Sequence, residues 1–263
     1  MTFFFLQKRY AIDLLRRFNM LGCNIVYAPM NVSEKLISDD GTGLTDARCF
    51  RSIVGLDYLS HTWPDIAFSI SMVYRFMHNP TKHHFGAVKR ILRYVAGTTD
   101  FGIWYSRKSD FRLFGFTDSD WAGCLDDRKS TSGYAFSLGS GFLSWSSKKQ
   151  ETVVLSSSKA EYIAATASSS HAVWLKGLLV DVFHKQAAGT KIFCDSKASI
   201  AMTKNPAFHS RTERIDIRYH FIRDLVASGS IMLKHCGTNE QVADILTKTL
   251  QVGKHECSDY KWE

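Results

Sequence analysis

The chain has 263 residues, enough for one large domain or a domain with a smaller companion. Hydrophobic residues make up 45% and include 18 Phe and 6 Trp, which can fill a real core and excludes a largely disordered chain. The formal charge of +8 is spread along the chain rather than gathered in a tail, which raises the expectation of a polyanionic partner without fixing it.

The apolar run Phe3 to Leu6 is too short for a signal h-region or a membrane span. It reads as the last strand of something that begins further upstream. Tyr10, Leu14, Leu15 and Phe18 follow helical spacing, with Gly22 as a stop. The polar, turn-rich stretch VYAPMNVSEKLISDDGTGLTD reads as a loop. Helical patterns resume at about 46–60, 65–77 and 82–96, with Pro64 and Pro80 near the second and third starts. Gly97-Thr98-Thr99 closes this region. The cysteines, Cys23, Cys49, Cys124, Cys194, Cys236 and Cys257, form no C-x-x-C pair. With no secretion signal they read as reduced thiols of an intracellular protein, cytoplasmic or nuclear, with no membrane partner.

From residue 101 the period changes. FGIWYSR and FRLFGFTD alternate like strands, and SGYAFSLGSGFLSWSS reads as a hairpin turning at Gly139–Gly141. A long helix is expected at roughly 156–184, with a break at serines 168–170. A short strand KIFCD, a helix from about 196, a helix at 215–228, a strand SIMLKHC and a final helix NEQVADILTKTL follow. Strands first and helices interleaved later predict an α/β mixed sheet covered by helices.

Two acids, Asp118 and Asp195, stand at the ends of strands. If those strands are parallel neighbours, both carboxylates emerge at the carboxyl edge, where open α/β sheets bind ligands. Glu161 lies near the start of the long helix, Asp244 in the last helix, and His235 at the end of the last strand. Clustered carboxylates repel one another and call for a cation. Mg²⁺ suits oxygen ligands beside a phosphodiester, and two such ions assist in-line displacement. Each residue also has a plainer role. Strand-end aspartates form turns. Ser158-x-x-Glu161 fits a capping box, whereas a start at Ser156 or Ser157 frees Glu161 to face the site. Asp118 and Asp120 share parity, so strand alternation alone does not choose between them.

GFTDSDWAGCLDDRKSTSGYAF, SSSKAEYIAA, FCDSKASIAM, RIDIRYHFIRD and NEQVADILTK together resemble the ribonuclease H domain of copia-type LTR retrotransposon Pol polyproteins. Upstream, YAIDLLRRFNM and the stretch from FRSIVGLDYL to TTDFGIWY resemble the tail of the reverse transcriptase region and its connection. The resemblance implies a mainly helical reverse transcriptase remnant over 1–100, a ribonuclease H domain over 101–250 and a tail over 251–263. It implies a five-stranded mixed sheet flanked by helices, with Asp118, Glu161, Asp195 and Asp244 as metal-binding carboxylates. Two Mg²⁺ ions, with Mn²⁺ able to substitute, would serve hydrolysis of the RNA strand of an RNA–DNA hybrid. His235 matches a loop histidine that aids proton transfer or product release.

Asp120 falls where relatives carry a small polar residue near the substrate backbone. Arg128, Lys129 and Ser130 after the first strand, Lys148 and Lys149 after Trp145, and Asn205, His209, Arg211 and Arg218 are candidate substrate contacts. The alternative for each basic residue is a solvated surface. Trp121 is expected in the core rather than on a sugar or base. KHC and KHEC lack zinc-ligand spacing. Asp57, Trp63 and Arg214 depart from the family pattern. The family's paired-aspartate polymerase motif is not matched by SDDGTG at 38–43, so polymerase activity is not expected. The rival readings are an inactive nucleic-acid-binding remnant and a transposase-like nuclease of the same superfamily; Glu161 on the helix directly after three strands argues against the second.

Overall fold

The computed structural model describes residues 2–107, 111–204, 219–251 and 253. The chain forms two compact units, Met1–Arg107 with Lys248–Glu263, and Lys108–Thr247.

In the first unit, β1 (Thr2–Phe5) pairs antiparallel with β2 (Ile103–Ser106). Phe4 stacks on Trp104 at 4.3 Å between ring centroids. FGIWYSR therefore supplies a strand, but to this ribbon and not to the larger sheet. The compact units divide after Arg107 and again after Thr247, where divisions at 100/101 and 250/251 are expected from the sequence.

Helices follow: α1 (Lys8–Arg17), α2 (Ala47–Arg51), α3 (Val54–Leu59), α4 (Ala67–Tyr74) and α5 (Lys82–Gly97). The expected helix at 46–60 is thus two short ones. Asp46 caps the first by accepting from the Arg48 and Cys49 amides at 2.8 and 3.3 Å. α5 opens with a capping box, Thr81 and His84 bonding each other's amides. Its Ala87, Val88, Ile91, Leu92 and Val95 recur at helical spacing and are buried with Leu14, Phe50, Ile53, Leu59 and Trp63. Gly55 permits the close packing of α3 on α1, since a Cβ there would stand 2.9 Å from Leu14 Cδ1. Asp57 is exposed on α3, so this departure carries no burial cost. The SDDGTG stretch is a loop: Asp40 accepts from the Thr42 amide and hydroxyl and from the Thr81 hydroxyl.

In the second unit, β3 (Leu113–Ser119), β4 (Thr131–Leu138) and β5 (Gly141–Lys149) form an antiparallel meander. α6 (Ser157–Asp181) leads to β6 (Thr190–Cys194) and α7 (Lys197–Lys204). α8 (Ile222–Ala227) and β7 (Ile231–His235) come last. The sheet order is β5-β4-β3-β6-β7, with β3, β6 and β7 parallel. This is the five-stranded mixed sheet that the sequence leads one to expect. The hairpin turns where expected, with Gly139 at φ +78°.

Two expectations fail. α6 runs unbroken through serines 168–170: Ser168 and Ser169 are buried, and Ser169 and Ser170 donate back to the Ala165 and Thr166 carbonyls at 2.7 and 3.1 Å, which accommodates the hydroxyls within the helix. The final helix is instead two 3₁₀ turns, Thr238–Glu240 and Val242–Leu246. Gln241 between them is extended, and its side chain bonds the Thr117 carbonyl of β3 at 2.9 Å. Anchoring to the sheet prevails over a continuous helix. The stretch 205–218, which holds Asn205, His209, Arg211, Arg214, Arg218 and part of the helix expected at 215–228, lies outside the described residues.

Candidate metal centre

The parallel register fixes the first two acids. Phe116 of β3 lies opposite Phe193 of β6, so Asp118 and Asp195 stand two residues further along neighbouring strands. Gly133 of β4 lies opposite Asp118. A Cβ on Gly133 would meet Thr247 Cγ2 at 2.7 Å and Leu246 Cβ at 2.8 Å. Only glycine lets the second 3₁₀ turn press against the sheet here, and that turn carries Asp244. One ligand oxygen each from Asp118, Asp195 and Asp244 lies within 4.8 Å of the others. Asp118 and Asp244 are buried and Asp195 is half-buried.

Glu161 arrives from α6. The helix starts at Ser157 with Ser156 as its cap, so Glu161 is not used in a capping box. Its Oε1 accepts the Ser119 amide at 3.3 Å. Glu161, Cys194 and Asp195 form a second group of ligand atoms within 4.8 Å, and Asp195 belongs to both groups. Burial above all, then the charge of Glu161, holds the Cys194 thiol protonated, far above its usual value. The first group, Asp118, Asp195 and Asp244, offers oxygen donors alone. A hard-oxygen set of this kind fits Mg²⁺ or Mn²⁺ and does not fit a thiolate-seeking ion. Cys236, beyond β7, is pushed up to about 11 by burial and then by the charges of Asp195 and Glu240. His235 ends β7, exposed, beside Cys194 in the register.

Three polar residues not singled out in the sequence hold this edge. Thr247, fully buried, donates to Asp118 Oδ2 and lies 3.1 Å from the Asp244 carbonyl. Gln150 Nε2 reaches Ser119 Oγ, Ser132 Oγ and the Ala160 carbonyl at 3.2, 2.9 and 3.0 Å. Gln241 ties the turn to β3 as described. Their sequence signal is faint: Thr247 follows Asp244 by three residues, and Gln150 ends a basic pair.

The expected substrate contacts separate into several kinds. Asp120 accepts the Thr131 amide, closing the loop after β3. Ser130 is buried and accepts the Ala122 amide at 3.0 Å. Arg128 is exposed, at φ +56°. Asp127 bonds Lys149 at 2.6 Å and Lys129 at 3.7 Å. Burial opposes its ionisation, but the bonds from Lys149, Cys124 and Lys129 outweigh this and bring the carboxyl down to about 2. Lys148 is exposed. Trp121 is 57% exposed rather than in the core. A groove of about 560 Å³ between β4–β5 and α6 is lined by Tyr134, Lys148, His171 and Trp174, among others, and by none of the four acids. His171 there bonds Ser144 at 2.7 Å, and burial lowers its pKa.

No protein-family model matches the chain. It is 45% identical over 245 residues to a retrovirus-related Pol polyprotein from transposon RE1 of Arabidopsis thaliana, covering 93% of this chain and 17% of that protein. It is 40% identical over 258 residues to the corresponding polyprotein from transposon TNT 1-94 of Nicotiana tabacum, covering 95% and 19%. The chain thus spans less than a fifth of these curated relatives. Among solved structures, LC11-RNase H1 from compost is 16% identical with a TM-score of 0.37, covering 52% of this chain and 94% of that one.

Proposed function

This chain belongs with the retrovirus-related Pol polyproteins of copia-type LTR retrotransposons, as the counterpart of their C-terminal region, and from that premise we propose that its second unit is a metal-dependent ribonuclease H that hydrolyses the RNA strand of RNA–DNA hybrids. The observation that carries the proposal is the convergence of Asp118, Asp195 and Asp244 within 4.8 Å, with Glu161 in an overlapping group. In the proposed division, 1–100 is the reverse transcriptase connection, 101–250 the ribonuclease H domain and 251–263 a tail. An intracellular location accompanies this reading. Polymerisation is not assigned to these residues, because Asp40 of SDDGTG is engaged in holding its loop.

Asp118, Glu161, Asp195 and Asp244 would hold two Mg²⁺ ions, or Mn²⁺ in their place. Bound metal supplies Lewis acidity and lowers the pKa of a bound water. The chain's own residues perform the rest. Thr247 and Gln241 fix Asp118 and the Asp244 turn on one sheet edge, and Ser119 orients Glu161. The reaction joins a water oxygen to phosphorus while the P–O3′ bond breaks. One water proton ends on the leaving 3′ oxygen, giving a 5′-phosphate and a 3′-hydroxyl. His235, exposed at the end of β7, is assigned to that proton's passage.

The test is cleavage of a labelled hybrid by the 263-residue chain with Mg²⁺, Mn²⁺ or EDTA. Metal-dependent cutting of the RNA strand is expected. Hybrid binding without cutting would identify a non-catalytic remnant, and preferred cutting of duplex DNA would identify a different nuclease of the superfamily.

A further inference from the structure

We infer that Trp121 is a fixed aromatic platform that packs against a sugar ring of the bound hybrid beside the metal centre; this rests on the hybrid-binding part of the function proposed above. Lone exposed hydrophobic residues are ordinary, but this one is held in place. Its indole is 57% exposed, while Nε1 donates to the Val154 carbonyl at 3.4 Å. Val154 lies two residues before the cap of α6, the helix that carries Glu161. Trp121 itself follows Asp118 by three residues, a span of at most ~11 Å. The ring therefore bridges the two segments that deliver Asp118 and Glu161.

The loop beneath it is braced on both sides. Before the ring, Asp120 accepts the Thr131 amide and its own amide donates to the Thr131 carbonyl at 3.1 Å. After it, Ala122, at φ +53°, donates to Ser130 Oγ at 3.0 Å. A Cβ on Gly123 would fall 1.8 Å from Asp120 Oδ2, so the turn closes only around glycine. Val153 and Leu155, either side of Val154, are also exposed, at 50% and 61%, and give this rim an apolar character. A pre-ordered aromatic face contributes to affinity because little freedom is lost on binding.

The chemistry selects the ligand group. The Cα atoms of Trp121 and Asp118 are at most ~11 Å apart and a strand carries one phosphate per ~3.4 Å of duplex axis, so the ring stands within a few nucleotides of the scissile phosphate. Bases of a duplex are already stacked on each other. Sugar rings in the wide, shallow minor groove are the apolar surface left for an indole.

The test is equilibrium binding of the full 263-residue chain to an RNA–DNA hybrid in EDTA, followed by anisotropy, for wild type, Trp121→Ala and Trp121→Phe. Trp121→Ala should weaken hybrid binding about tenfold, in the range of aromatic contacts to nucleic acid. Trp121→Phe, which keeps a ring, should recover most of that. Unchanged binding by Trp121→Ala, or no hybrid binding by wild type, overturns the inference. So does equal loss in both variants together with a lowered melting temperature, which marks a merely structural residue. A larger loss for single strands than for hybrid overturns the sugar assignment in favour of an unpaired base. Trp121-dependent binding without Mg²⁺-dependent cleavage leaves the inference standing and sinks the nuclease reading.

Discussion

The two units bury carboxylates in opposite ways. In the first, Asp65 is buried with a dedicated donor, the Tyr94 hydroxyl at 2.5 Å. Among the described residues it belongs to no group of three or more possible metal ligands. In the second, Asp118, Asp195 and Asp244 are brought against one another. An isolated buried acid with a good partner is part of the core, whereas acids packed together hold unfavourable repulsion that a cation relieves. The contrast distinguishes a structural carboxylate from a candidate metal ligand without reference to motif.

The largest effect should come from the working set. Asp118→Asn is expected to abolish Mg²⁺-dependent cleavage, while Asp120→Asn, which loses a charge but keeps an oxygen able to accept the Thr131 amide, should weaken it. Equal loss in both, with folding intact by circular dichroism, would erase the distinction drawn between them. Stability should move the other way. Asp65→Ala strands the Tyr94 hydroxyl and should cost about 1–3 kcal/mol. Asp195→Asn removes one repelling charge and should raise the melting temperature in EDTA. Thermal melts of the two variants side by side decide this; a lowered midpoint for Asp195→Asn contradicts the repulsion argument.

Thr247→Val tests the brace between the acids. It keeps the shape and removes the hydroxyl that donates to Asp118. Cleavage should fall by about tenfold, a loss of ~1.4 kcal/mol in transition-state terms, with a higher Mg²⁺ requirement that Thr247→Ser restores. A Mg²⁺ titration of cleavage rate reads both. The smallest effect concerns the loop after β3. Asp127 is held at about 2, below the 3.8 of an ordinary aspartate. A depressed acid stabilises the fold above the ordinary value and loses that contribution as pH falls towards 2. Partial exposure keeps the effect small. Acid titration of wild type against Asp127→Asn should show a slightly shallower loss of stability in the variant between pH 4 and 2.

Much of this site is legible from local pattern. Asp118 and Asp195 sit at strand ends because alternation and chain length place them there, and the β6 register bears out their shared edge. Glu161 needs only the position of the helix start, which Ser156 decides. Asp244 is readable as a residue but not as a conformation: helical spacing in NEQVADILTKTL gives way to 3₁₀ turns because Gln241 bonds the sheet. The serines of α6 mislead because their type suggests a break, while Ser169 and Ser170 donate to carbonyls of the same helix. Trp121 misleads because size and hydrophobicity predict burial, while a braced loop holds it out.

By itself the sequence determined most of the strands and helices, their order, and which acids stand at the ends of them, because periodicity and chain direction are local properties. Only the tertiary structure decided that β2 pairs with β1, that Gly133 admits the Asp244 turn, and that Thr247 and Gln150 hold the edge. Those depend on close approach between residues more than a hundred positions apart in several cases, and on hydrogen bonds whose partners no local pattern specifies.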